Sequence, residues 1–292
     1  MPKSYSPLRY PGGKSSIAPF ISNVINLNQF NLYSYVEPYA GGAGLALKLM
    51  FDGYVSDIYL NDIDPSIWSF WHILLEFPDE FIGMINDTNV TVDEWYKQRE
   101  IHIKQDISDP LSLGFSTFFL NRVNRSGIIS RAGVIGGLNQ EGNYKIDCRF
   151  NKETLIKRIN RIKLYKSRIY LSKLDAVKFM KKTSFPDNSF FCIDPPYYKK
   201  GSVLYSSFYL PSDHEEVSRI IGNLNQPWIV TYDNEPSIRR LYKNYRQFTF
   251  DIYYSVHTKR TGKELLVPSK GLKIPQDIRS RQITPIRGYA IL

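Results

Sequence analysis

The chain has 292 residues and carries 38 Lys and Arg against 28 Asp and Glu, a formal net charge of +10. A chain of this length buries roughly three quarters of its unfolded surface and needs no covalent staples, and 42% hydrophobic and 14% aromatic residues exclude a disordered composition. Two cysteines, Cys148 and Cys192, exclude a disulfide scaffold, no Cys/His spacing suits zinc, and no stretch reads as a signal peptide or membrane span, which predicts a soluble protein of a reducing compartment.

Taken in chain order, Arg9-Tyr10-Pro11-Gly12-Gly13-Lys14 leads into a helix from Ser15. A short strand at Tyr35-Val36 ends at Glu37-Pro38, followed by Tyr39-Ala40-Gly41-Gly42-Ala43-Gly44 and a helix from Leu45 to Met50. A second strand, Ile58-Tyr59-Leu60, ends at Asn61-Asp62. Asp64-Pro65 then opens a helix, the aspartate as N-cap and the proline in the first turn. Strand, glycine turn, helix, strand and acid make one half of a doubly wound parallel sheet.

The alternation then breaks. Residues 66–120 are predicted helical, with Trp68, Trp71, Leu74 and Leu75 on one buried face. Residues 132–150 read as a hairpin turning at Gln140-Glu141-Gly142-Asn143. Leu155, Ile159 and Ile162 form the apolar stripe of a helix whose other sides carry Lys157, Arg158, Arg161 and Lys163. Strands return at Ile169-Tyr170-Leu171, Phe190 to Ile193 and Ile229-Val230-Thr231. Phe248 to Val256 and Leu265 to Val267 predict an antiparallel hairpin, and the 268–292 tail a mobile basic extension. The fold class is α/β: a doubly wound, mostly parallel sheet with an antiparallel C-terminal hairpin and a helical/hairpin insertion at 64–164.

Charge is unevenly placed. Between Lys145 and Lys182 stand thirteen Lys and Arg against Asp147, Glu153 and Asp175, a net +10 that equals the excess of the whole chain. Arg122, Arg125 and Arg131, and Lys259, Arg260 and Lys263, form two further patches. A solvated helix face explains an isolated charge run, but three localised patches together suit a polyanion such as nucleic acid.

Three features could carry chemistry. Gly41, Gly42 and Gly44 after a strand let backbone approach a ligand, and Asp62, 21 positions past Gly41 at the next strand end, suits a ribose hydroxyl. The full G-x-G-x-x-G fingerprint is absent, which argues against a dinucleotide pyrophosphate site; a nucleoside cofactor is favoured over the bland alternative of a tight turn with a capping acid. Gly12-Gly13-Lys14-Ser15 is not a phosphate-binding loop, because Leu8 stands where that motif needs glycine. Lys14 could still neutralise a carboxylate or phosphate. Asp194-Pro195-Pro196-Tyr197 directly follows an apolar strand, at the carboxyl end where open α/β sheets bind ligands. The two prolines end the strand and hold Asp194 rigidly beside an aromatic ring.

Together these motifs, in this order, resemble the Dam-like (D12 class) DNA adenine N6-methyltransferases over residues 6–267. The resemblance implies a Rossmann-like catalytic domain formed by 1–63 and 165–292 and a target-recognition domain at 64–164. It implies S-adenosylmethionine as methyl donor, no metal, and double-stranded DNA as substrate, with adenine N6 methylated after base flipping. Tyr10, Lys14, Glu37, Tyr39, Gly41, Asp62, Asp175 and Asp194 would line the cofactor site, and Asp194, Pro195 and Tyr197 would be catalytic. Asp194 and the Pro195 carbonyl would accept the two amino hydrogens, and Tyr197 would stack on the base. Asn121, Arg122, Asn124, Arg125, Lys259 and Arg260 would contact DNA. Ala43 stands where the turn usually has its second glycine. Arg125-Ser126 departs from the family's recognition segment, so target-sequence rules do not carry over. The implied setting is a cytoplasmic monomer, bacterial, archaeal or phage-encoded, with a possible cognate restriction endonuclease. Cytosine N4, RNA adenine and protein glutamine methylation are the neighbouring chemistries, and a catalytically idle DNA-binding regulator is the alternative of a different class. The aspartate before the prolines favours adenine among them.

Overall fold

The structure is a computed structural model that describes residues 5–10, 13–182, 184–198, 209–254, 260–278, 281–282 and 284–286. Helix α1 (Ala18–Leu27) precedes β1 (Tyr33–Glu37), α2 (Gly44–Phe51) and β2 (Val55–Asn61). Five helices then intervene: α3 (Pro65–Glu76), α4 (Pro78–Asp87), α5 (Val92–Lys104), α6 (Pro110–Val123) and α7 (Lys152–Lys163). The alternation resumes with β3 (Ile169–Ser172), α8 (Ala176–Lys182), β4 (Ser189–Ile193), α9 (Pro211–Gly222), β5 (Trp228–Asp233) and α10 (Pro236–Leu241). Strands β6 (Phe248–Tyr254), β7 (Arg260–Pro268), β8 (Asp277–Ile278), β9 (Arg281–Gln282) and β10 (Thr284–Pro285) follow.

Eight strands form one sheet in the order β10-β6-β7-β5-β4-β1-β2-β3. The pairs β1/β2, β1/β4, β2/β3 and β4/β5 are parallel, whereas β5/β7, β6/β7 and β6/β10 are antiparallel. The chain leaves β1 towards β2 and β3, then returns to the other side of β1 for β4. The carboxyl ends of β1 and β4 therefore flank the switch point, where doubly wound sheets open a ligand crevice. Side chains along each strand alternate between two buried layers. Tyr35, Phe190, Cys192 and Ile229 join one cluster; Val36, Phe191, Ile193 and Val230 join the other, with α8, α9 and α10. The first cluster runs without a break from the sheet into Ile67, Phe70 and Trp71 of α3 and Phe115, Phe118 and Phe119 of α6, so the 64–164 segment shares its core with the sheet.

Several sequence expectations change. Trp71, Leu74 and Leu75 are buried on α3, but Trp68 stands half-buried, stacked on His72 with a 4.6 Å centroid separation. Among the described residues, the expected hairpin at 132–150 is one isolated bridge, Asn124 to Val134, followed by turns and a short 3₁₀ segment at Ile146–Arg149. The cause is local: Gly136 and Gly137 have positive φ, and the Gln140 amide donates to the carbonyls of Ile135 and Gly137 while accepting from the Ile146 N–H. Side-chain bonding of that kind displaces a strand ladder. The tail is not simply an extension, since β10 adds to the sheet edge beside β6. Strand β7 is longer than expected, and residues 255 and 256 of the expected hairpin lie outside the described residues.

Candidate active site

The site begins with strand ends. β1 delivers Glu37 and β4 delivers Asp194 to either side of the switch point, while β2 ends at Asn61-Asp62. Asn61 is 1% exposed and fastens the edge. Its amide donates to the Pro38 and Leu174 carbonyls, and its oxygen accepts from the Leu174 N–H and the Ser172 hydroxyl. Ala40 N–H donates to the Asn61 carbonyl at 2.8 Å, so the turn after β1 is tied to the end of β2.

That turn is tight and crowded. Gly41 has φ +47°, and a Cβ added there would lie 2.6 Å from the Tyr10 ring; one added to Gly42 would lie 2.7 Å from the Tyr10 Cβ. Glycine is therefore required here for Tyr10 to lie against the turn. Ala43 takes φ +45° as the N-cap of α2, a left-handed conformation in place of a glycine. Trp71 Nε1–H donates to the Gly41 carbonyl at 2.8 Å, which holds the turn from the helical side.

The acids are positioned by backbone donors. Asp62 accepts from the Gly41 N–H at 2.8 Å and the Asp64 N–H at 3.0 Å. Burial and the neighbouring Asp64 push its carboxyl up to about 7. Glu37, 8% exposed, accepts from the Tyr35 hydroxyl at 3.0 Å and from the Ala46 N–H in the first turn of α2. Burial outweighs that hydrogen bond and pushes Glu37 up to about 8, with the Asp194 charge adding to the rise. Tyr39 shares a 2.9 Å hydrogen bond with Tyr209, whose phenol burial pushes up to about 12, with Asp175 and Asp62 among the nearby charges. Asp175 itself accepts from the Val177 and Lys178 N–H groups at the start of α8.

Asp194 is the centre of a buried polar network. Its Oδ1 accepts from the Thr231 hydroxyl at 2.7 Å, and its Oδ2 lies 2.9 Å from the Lys14 ammonium. Lys14 is also 3.3 Å from Glu264 Oε2 and 5.5 Å from the Tyr197 ring centroid, and the Tyr197 hydroxyl donates to Glu264 Oε1. Burial pushes Asp194 upward, Lys14 pulls it back, and Glu264 pushes it up again. The Asp194 side chain keeps 24% exposure, whereas Tyr197 keeps 5% and offers little ring surface to solvent. The chain leaves the motif through Tyr198, whose N–H donates to Asp233 at 2.9 Å.

The sequence motifs thus converge: Lys14 meets Asp194 and Tyr197, Tyr10 lies on the glycine turn, and Glu37, Asp62 and Asp194 stand at neighbouring strand ends. The set of acceptors at Glu37, Asp62 and Asp194, gathered at neighbouring strand ends beside Lys14, fits a ligand rich in hydroxyl and amino hydrogens. Sequence reasoning missed Thr231, Asn61 and Glu264. The available signal for Glu264 was an acid directly before the apolar run Leu265-Leu266-Val267, and the expected strand began only at Leu265.

The expected DNA contacts divide. Asn121 is fully buried; it accepts from the Arg9 N–H at 2.7 Å and donates to the carbonyls of Arg9 and Gly127. Asn124, 1% exposed, accepts from Trp95 Nε1–H and donates to the carbonyls of Ile128 and Ile129. Arg122, 9% exposed, spends its guanidinium on the carbonyls of Arg149 and Pro7. Burial, with Arg9, Arg158 and Arg149 nearby, pulls it down to about 9. These three residues are scaffold, because their polar atoms are occupied by backbone groups and, for Asn124, by the Trp95 indole. Arg125 is exposed; Lys259 lies outside the described residues, and Arg260 is placed only as backbone at the start of β7.

Among the described residues, no three His, Cys, Asp or Glu side chains group as a metal site, and no helix is long and apolar enough to cross a membrane. The family model for D12 class N6 adenine-specific DNA methyltransferase matches residues 10–261. No curated protein matches the chain. Among solved structures, a candidate RNA methyltransferase from Pyrococcus horikoshii is 9% identical, with a TM-score of 0.44, covering 92% of this chain and 88% of that one. A candidate class I S-adenosylmethionine-dependent methyltransferase from Listeria monocytogenes is 10% identical, with a TM-score of 0.38, covering 90% of this chain and 62% of that one.

Proposed function

Because the chain belongs to the D12 class N6 adenine-specific DNA methyltransferase family, matched over residues 10–261, we propose that it methylates the N6 amino group of adenine in duplex DNA with S-adenosylmethionine as donor. The observation that carries this reading is the placement of Asp194 at the switch point, with a rigid Pro-Pro-Tyr exit and a lysine, a threonine and a second acid around it.

An adenine amino group is a poor nucleophile because its lone pair is delocalised into the ring. Acceptance of its two hydrogens by Asp194 and the Pro195 carbonyl draws the nitrogen towards tetrahedral geometry and aims the lone pair. When bound, S-adenosylmethionine supplies a methyl group made electrophilic by the adjacent sulfonium. The protein's share is positioning and electrostatics. Asp62 is placed for ribose hydroxyls. Tyr10, Glu37, Tyr39, Gly41 and Asp175 complete the cofactor pocket. A base inside the duplex is out of reach, so the adenine leaves the stack. Stacking on Tyr197 requires the Lys14 ammonium beside its ring to give way.

Residues 64–164 serve as the target-recognition region, and Arg125 as its exposed contact to base or phosphate. The protein acts as a monomer, alone or beside a cognate endonuclease.

The test is transfer of labelled methyl from S-adenosylmethionine to unmethylated duplex, followed by nucleoside analysis. The wild type should yield N6-methyldeoxyadenosine. Asp194→Ala should lower the yield by at least 10³-fold while duplex affinity stays within threefold. Label on RNA alone, or a product on cytosine, would replace this reading.

A further inference from the structure

Both oxygens of Asp194 already have protein donors: Thr231 on Oδ1 at 2.7 Å and the Lys14 ammonium on Oδ2 at 2.9 Å. Methyl transfer needs one of them to accept from the amino group of the target base, a neutral donor. A charge-assisted hydrogen bond is about twice as strong as a neutral one. Each oxygen keeps a second lone pair for that donor, but the ammonium held on Oδ2 draws charge from Asp194 and weakens it as an acceptor for the amine. Lys14 and Glu264 have side chains 6% and 1% exposed, so their interaction is poorly screened, and expelling the ammonium to water is not an economical way to free Asp194.

Glu264 gives the ammonium somewhere to go. Its Oε2 is 3.3 Å from Lys14 Nζ, only slightly farther than Asp194, and its Oε1 accepts from the Tyr197 hydroxyl. The backbone fixes it too: β7 pairs Glu264 with Asp233 of β5 on one side and with Phe250 of β6 on the other. A small swing of Lys14 towards Glu264 keeps the cation paired beside the Tyr197 hydroxyl and relieves Asp194 Oδ2 of its charge. We propose that Glu264 is a positioning residue for methyl transfer, the carboxylate that takes over Lys14 so that Asp194 can accept from the target amine. The proposal rests on the methyl-transfer reading above.

The test compares Glu264→Gln and Glu264→Asp by single-turnover methyl transfer at saturating S-adenosylmethionine and duplex DNA. Gln keeps length and an acceptor for Tyr197 but removes the charge; Asp keeps the charge but shortens the reach. The expected order of rates is wild type, then Glu264→Asp, then Glu264→Gln, with Glu264→Gln at least tenfold below wild type. Duplex and cofactor affinities should stay within threefold, and the thermal midpoint should not fall. A purely structural role gives the opposite order of the two variants, because Gln fits the site better. A Glu264→Gln rate within threefold of wild type, or above that of Glu264→Asp, overturns the proposal. If Glu264→Gln does not fold, Tyr197→Phe carries the test. It deletes the hydroxyl that fixes Glu264 and should lower the rate three- to tenfold at unchanged duplex affinity; an unchanged rate overturns the proposal. A wild type that transfers no methyl to DNA would instead remove the reading beneath it.

Discussion

At the scale of single residues, the site is governed by acids held partly against their charge. Asp62 receives two backbone N–H groups, which favour the carboxylate, yet burial and Asp64 raise it to about 7. The sign of the pH effect follows. Below that value Asp62 is largely protonated and one oxygen ceases to accept; above it, the carboxylate can take ribose hydroxyls. Affinity for S-adenosylmethionine should therefore increase as pH rises from 6 to 8, and isothermal titration should show Asp62→Asn weaker by roughly tenfold and flat over the same range. An unchanged slope in Asp62→Asn would move the effect to Glu37, which titrates near 8.

At the scale of elements, legibility followed how much of an element's identity was local. β1, β4 and β5 were readable because each is an apolar run ended by a polar or turn residue. The paired switch-point acids followed from those strand ends. The 132–150 segment was not readable, because Gln140 replaces ladder bonds by side-chain bonds that no periodicity records. Nor did spacing reveal that Asn121 and Arg122 face backbone carbonyls, since their partners, Arg9 and Pro7, lie more than a hundred residues away. Glu264 was hidden for the same reason: its value comes from Lys14, at the other end of the chain. The packing of α3 on α6 adds a case that only three dimensions disclose. A Cβ at Gly114 would lie 2.6 Å from the Ser69 carbonyl oxygen and 2.9 Å from Ile73 Cδ1, whereas one at Gly83 on α4 would meet nothing within 4 Å. Both glycines are helical, so alanine gains up to about 1 kcal/mol of helix propensity at either place. At Gly114 the backbone contact outweighs it. Gly114→Ala should lose about 1–3 kcal/mol in urea denaturation, and Gly83→Ala should gain up to about 1 kcal/mol. Equal effects would mean that α3 and α6 can separate without cost.

At the scale of the whole molecule, the charge excess is less available to DNA than its sum suggests. Thirteen cations between Lys145 and Lys182, if all met phosphates, would give a slope of log affinity against log salt near −12. Much of that charge instead holds α7 and β3 in place. Lys163 pairs with Asp79 and Lys166 with Glu76, while Arg161 lies over the rings of Phe51 and Tyr5. Lys152, Arg158 and Arg168 donate to the carbonyls of Asn86, Ser6 and Val55. Lys157 and Lys181 face Glu153 and Glu216. Lys145 donates to the Gln140 carbonyl and Lys173 lies over the Trp68 ring, so ten of the thirteen are engaged among the described residues. The measured slope should accordingly fall between about −3 and −6, since only cations that release condensed counterions count. Arg125, exposed beside the buried Asn121–Asn124 scaffold, should be one of them. Arg125→Ala should lower the slope by about 1, whereas Lys163→Gln and Lys166→Gln should leave it unchanged. Titration of a fluorescent duplex from 50 to 300 mM salt checks both statements. A slope near −12 would mean that the α7 cations exchange their protein partners for phosphate, and the duplex would then have to run across α7 itself.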